Sequence, residues 1–153
     1  MEKINSKKEL LDKYSILQDA LDTLDFIVKR YQDTVEKTDI DDHDGMQVLR
    51  IERDSLIQRF EYSYELFWKF LKKYAEHQFI RLESASPRGI IRICVQSGIL
   101  TEEQGLLAAE MHEYRNKTSH MYREEIADSI SEHVPEFYMF MRTVSQHCMQ
   151  ILS

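Results

Sequence analysis

Apolar residues recur along most of this chain at spacings of three and four, the period of a helix with one buried face. Leu10, Leu17, Leu21, Leu24 and Val28 set such a stripe over residues 6 to about 35, which predicts a first helix. The stripe stops at "EKTDIDDHDG", residues 36–45, where acids, a histidine and Gly45 predict a long acidic connection. It resumes, wider, over residues 46 to about 76 with Leu49, Leu56, Phe60, Tyr64, Phe67, Leu71 and Tyr74, flanked by Ile57 and Trp68. A stripe this broad faces more than one neighbour, so the second helix is expected at the centre of the core, with part of it free for a partner subunit.

Local punctuation marks the next elements. In "SPRGIIRICVQSGIL", Ser86 suits an N-cap, Pro87 the first turn, and Gly98 the position just past a helix end. "TEEQ" at 101–104 fits a capping box, with Thr101 as the cap and Gln104 reaching back. A fourth helix is expected from Glu102 to about Arg123, and a last one from Glu124 to Leu152, kinked or restarted at Pro135. Phe137, Phe140, Val144, Cys148 and Ile151 form its expected buried stripe.

Composition agrees with helices. The 153 residues contain only 4 Gly and 2 Pro, too few for an all-β chain with many turns, and suit a single domain spanning 1–153. The net charge of -7 argues against broad, non-specific coating of nucleic acid, though not against a local basic site. The first residues, "MEKINSKKELLDKY", hold no apolar signal region, and no apolar run approaches a membrane span, so a cytoplasmic location is expected. Cys94 and Cys148 make no CxxC and are expected reduced and buried. A calcium loop centred on Gly45 would need acids where Ile40 and Ile51 stand, and no pair of His or Cys outside the acidic loop has zinc-ligand spacing. No metal and no cofactor is expected.

The chemistry concentrates in "EYRNKTSHMYREE", residues 113–125. Placed on one continuous helix, Leu107, Met111, Tyr114, Thr118 and Met121 share an arc of roughly 80°, while Tyr122, Arg115, Ser119, Arg123, Asn116 and His120 share an arc of about 160° on the other side. An ordinary solvated face carries Glu, Lys and Gln. This one carries a guanidinium, an amide, a hydroxyl, an imidazole and a phenol. Arg offers a planar fork of donors for phosphate, and His gives or takes a proton near neutral pH. That set suits attack by a ribose 2′-hydroxyl on its neighbouring phosphate. It equally suits a site that only holds a nucleotide. The remaining histidines, His112, His133 and His147, are expected on the surface or at caps.

"RNKTSHMY", residues 115–122, resembles the R-N-x-x-x-H-x-Y signature of the HEPN superfamily, in particular its small bacterial branch of nucleotidyltransferase substrate-binding proteins. "RDSLIQRFEYSYELFWKFLKKY", residues 53–74, is similar to the long second helix of that branch, "SPRGIIRICVQSGIL" to its short middle helix, and "SHMYREEIADSI" to its passage into the last helix. The resemblance covers nearly the whole chain in the same order. It implies an all-α, up-and-down antiparallel bundle of four long helices and one short one, forming a homodimer in which the motif helices meet at a cleft. It further implies pairing with an MNT-type nucleotidyltransferase antitoxin, as a heterotetramer or larger, and metal-independent endoribonuclease activity on RNA, tRNA included. Carried over residue by residue, Arg115 and His120 are the catalytic pair, Asn116 their polar helper, Tyr122 the AMP acceptor, and Ser119 and Arg123 support the cleft. The alternative is a non-catalytic subunit that binds nucleotide or substrate for the transferase.

Overall fold

The computed structural model describes residues 2–152. Its helices are α1 (Glu2–Lys37), α2 (His43–His77), α3 (Pro87–Gln96), α4 (Glu102–Lys117) and α5 (Glu124–Leu152), with a 3₁₀ turn at Thr118–His120 between the last two. There is no strand among the described residues. The expected all-α bundle of four long helices and one short one is what forms.

Cross-helix partners give the directions. Ser6 meets His77 and Arg30 meets Glu52, so α1 and α2 run antiparallel. Gln18 meets Ser145 and Asp22 meets Arg142, so α1 and α5 also run antiparallel. Arg53 meets Asp128 and Phe67 meets Phe140, which sets α5 alongside α2 in the same direction. Helix α2 touches all four other helices, as its wide stripe predicts. Phe60, Tyr64, Phe67, Phe70 and Leu71 are all but inaccessible, and each such side chain contributes about 1.5–3 kcal/mol by leaving water. Among the described residues no helix is long and apolar enough to cross a membrane.

Three features of the bundle differ from the sequence pattern, besides the end of α4 described below. The α1–α2 connection is only 38–42, not 36–45, because Thr38 still bonds back to Thr34 and Asp42 caps α2 by accepting from the Gly45 amide. Of the acids that read as a loop, Glu36 lies in α1, Asp42 is the cap of α2 and Asp44 is in its first turn, while Asp39 and Asp41 remain in the connection. Pro135 interrupts no element: α5 passes through it as one helix. Ile151 is exposed, since it lies in the last turn beyond the core, where Met149 and Leu152 pack instead. The local signals hold. Ser86 caps α3, Thr101 and Gln104 close a capping box, and Gly98 takes a positive φ of 82° where a side chain would be strained.

Candidate functional site

Helix α4 ends at Lys117 rather than continuing to Arg123. Thr118 Oγ1 donates to the Arg115 carbonyl at 2.7 Å, and Ser119 does the same to the Asn116 carbonyl at 3.1 Å. Such back-bonding competes with the regular helical ladder. The chain tightens into a 3₁₀ turn, Met121 bonding to Thr118 and Arg123 to His120. Residues 118–123 therefore no longer follow the α-helical wheel drawn from the sequence.

The division into two faces survives. Met111 and Thr118 are buried, with Leu107, Tyr114 and Met121 half-buried against the core. Asn116, Ser119, His120, Tyr122 and Arg123 are exposed. The rings of His120 and Tyr122 lie edge to face with centroids 6.2 Å apart, and Tyr122 is 77% exposed. Arg123 pairs only loosely with Glu125, at 3.8 Å.

Arg115 behaves differently from its neighbours. Its side chain is 30% exposed and turns toward α2. Nη1 donates to Thr118 Oγ1 at 3.1 Å. Nη2 stands 3.9 Å from Glu61, Nε stands 3.8 Å from Glu65, and Nε is buried without a hydrogen-bond partner. A guanidinium has five N–H donors, so most of this fork is unused. It lines a cleft of about 380 Å³ with Gln58, Glu61, Tyr62 and Glu65. Arg115 thus lines this cleft, while His120 and Tyr122 are exposed on the turn that follows and are not among its lining residues. Glu61 and Glu65 oppose any anion entering there.

His112 and His133 are not the surface or capping residues that the sequence suggested. His133 stacks on Tyr114 with centroids 4.3 Å apart, its Nδ1 donating to the Ser129 carbonyl and its Nε2 accepting from the Tyr114 hydroxyl. It is a packing residue. His112 lies one turn before Asn116, 2.5 Å from the buried Tyr64 hydroxyl and 3.5 Å from the Asn116 carboxamide. Burial lowers its pKa first, and Arg88 and Arg115 add to the effect. Burial likewise raises the Tyr64 phenol. His147 is exposed as expected. The four-residue spacing of His112 and Asn116 was visible in sequence, but Tyr64 lies 48 residues away.

At the other end of the turn, Arg53 anchors the start of α5. It donates to Glu124 at 2.6 Å and to Asp128 at 3.1 Å. The segment 118–123 is therefore held from both sides, by Arg115 behind it and Arg53 ahead of it.

The profile of the family described as nucleotidyltransferase substrate binding protein like matches residues 12–150. The crystal structure of ttk003001694 from Thermus thermophilus is similar, with 32% identity and a TM-score of 0.68, over 86% of this chain and 98% of that one. No curated protein matches the chain. With the motif, the helix order and the bundle in agreement, the chain belongs to the nucleotidyltransferase substrate-binding-protein-like family, the helical branch of the HEPN superfamily that its sequence resembles.

Proposed function

We propose that this protein is the HEPN component of a toxin–antitoxin pair, an endoribonuclease whose centre is Arg115 and His120, silenced by a partner nucleotidyltransferase. The observation that carries this reading is the pairing of a half-buried guanidinium with one hydrogen bond and an exposed imidazole, five residues apart across a helix break. Arg115 makes a single hydrogen bond and holds Glu61 and Glu65 only at 3.8–3.9 Å, so a phosphate can compete with them for its exposed donors.

In this mechanism His120 takes the proton from a ribose 2′-hydroxyl, whose oxygen attacks the adjacent phosphorus. The 5′-oxygen leaves and is protonated, giving a 2′,3′-cyclic phosphate and a 5′-hydroxyl end. Asn116 and Ser119 orient the phosphate, and Arg123 and Lys117 add positive charge. A homodimer brings a second copy of each cation to the same cleft, which makes the field there locally positive despite the net charge of -7 on each chain. Silencing uses the exposed Tyr122: its oxygen attacks the α-phosphorus of ATP on the transferase and pyrophosphate leaves. The added AMP stands beside His120, blocking it and repelling RNA.

The test is incubation of the purified protein with tRNA and total RNA in EDTA, with end-group analysis of any product. Cleavage to cyclic phosphate ends supports the reading. A second reading is favoured by the family description: a non-catalytic subunit in which Arg115 and Asn116 hold a nucleotide for the transferase. It predicts calorimetric binding of ATP or another nucleotide, alone or with the partner, and no cleavage.

A further inference from the structure

The Tyr64, His112 and Asn116 side chains form a line from the core of α2 to the exposed motif. Tyr64 is 1% exposed, and its hydroxyl has the His112 ring as its hydrogen-bond partner. A buried phenol that gives no proton away leaves a donor unsatisfied, which is costly. The hydroxyl therefore donates, and His112 Nδ1 accepts. That choice fixes the neutral ring with its proton on Nε2. Nε2–H then needs an acceptor at its far side, where the Asn116 carboxamide lies 3.5 Å away. The amide nitrogen cannot accept, but a half-turn of the carboxamide places its oxygen there. The NH₂ group then points outward.

We infer that His112 is a positioning residue for the motif: held by Tyr64, it orients Asn116 so that its two N–H donors face the incoming phosphate. The inference rests on the reading of Asn116 as a phosphate contact. The groups facing the ring are Tyr64 and Glu65 from α2, Arg88 from α3, and Glu113 and Arg115 from α4. The ring stays neutral at working pH because burial and the two arginines outweigh the two carboxylates. A neutral ring has one donor to direct, and the Tyr64 hydroxyl decides where it goes.

Long-range ¹⁵N–¹H spectra of the histidine rings at neutral pH test this without RNA. Wild type should show His112 with the proton on Nε2, and Tyr64→Phe should shift it toward Nδ1. An Nδ1-protonated ring in wild type overturns the inference, as does a ring indifferent to Tyr64→Phe. In cleavage, Tyr64→Phe should lower kcat on the order of tenfold with KM little changed, the scale of losing a supporting partner. The exposed Asn116→Asp, which accepts from Nε2–H but cannot donate, should lose as much rate as Asn116→Ala. Full activity in Asn116→Asp also overturns the inference, and does so even if Tyr64→Phe fails to fold. A wild type that cuts no RNA removes the ribonuclease reading instead, while the tautomer still decides this one.

Discussion

Arg53 and Glu124 form a 2.6 Å ion pair that ties α2 to the first turn of α5, immediately after the motif. Arg53 is 3% exposed yet stays charged. Desolvation opposes its charge, but hydrogen bonds to Glu124, Asp128 and Asp54 outweigh that penalty and raise its pKa. The acids are each about half exposed, so they remain solvated if Arg53 is lost. Arg53→Ala should therefore cost about 2 kcal/mol, less than breaking a fully buried pair. Urea denaturation measures it. The cost should fall on the α5 start first, seen as faster amide exchange over residues 120–128.

The same pair sets a pH dependence. The hydrogen bond from Arg53, then its charge, holds the Glu124 carboxyl below its ordinary 4.5. A carboxylate with a depressed folded-state value stabilises the protein above 4.5, and that contribution is lost as pH falls through the folded value. The melting temperature should drop on acidification below pH 4.5. Glu124→Gln should start lower at neutral pH and show a shallower acid drop. An equal slope in both proteins would remove Glu124 from the account.

At Gly105, α4 packs directly against Val95 of α3. A Cβ there would stand 2.4 Å from Val95 Cγ2. Alanine in a helix usually gains about 1 kcal/mol over glycine. Here the stiff, β-branched Val95 must shift, at a cost of about 1–3 kcal/mol. Gly105→Ala should be net destabilising by about 1 kcal/mol, and Gly105→Ala with Val95→Ala should show strong non-additivity in a double-mutant cycle.

Both cysteines are buried and free, and burial pushes each thiol up to about 12. Little thiolate exists at neutral pH, and reagents cannot reach it. A thiol-exchange reagent should label neither cysteine in the native protein and both in denaturant. Rapid labelling of either in the folded state would contradict the packing described here.

The sequence was most informative where the signal is local. Ser86, Gly98, Thr101 and Gln104 act within a few residues of themselves, so caps and ends could be placed from spelling alone. The long stripes of α1 and α2 were equally plain, because burial repeats at the helical period. The end of α4 was harder. Asn116, Thr118 and Ser119 form helices poorly, yet the apolar row of Tyr114, Thr118 and Met121 continued through them, and that row still packs on the core after the helix stops. Periodicity records which side is buried and not whether the ladder is intact. The roles of His112, Arg53 and Glu65 were out of reach for another reason. Each depends on a partner or a helix face that only folding brings close.

The central claim is that His120 moves a proton and Arg115 steadies the phosphate. The most direct measurement is the initial rate of RNA cleavage by wild type, Arg115→Ala and His120→Ala, purified identically without divalent metal. His120 is exposed, so His120→Ala should melt close to wild type, while Arg115→Ala loses the contact to Thr118 and should melt lower but still fold. The account predicts that His120→Ala loses on the order of 10²–10⁴-fold in rate, the scale of a general acid–base, and Arg115→Ala a comparable amount. Cleavage by His120→Ala at the wild-type rate would contradict it.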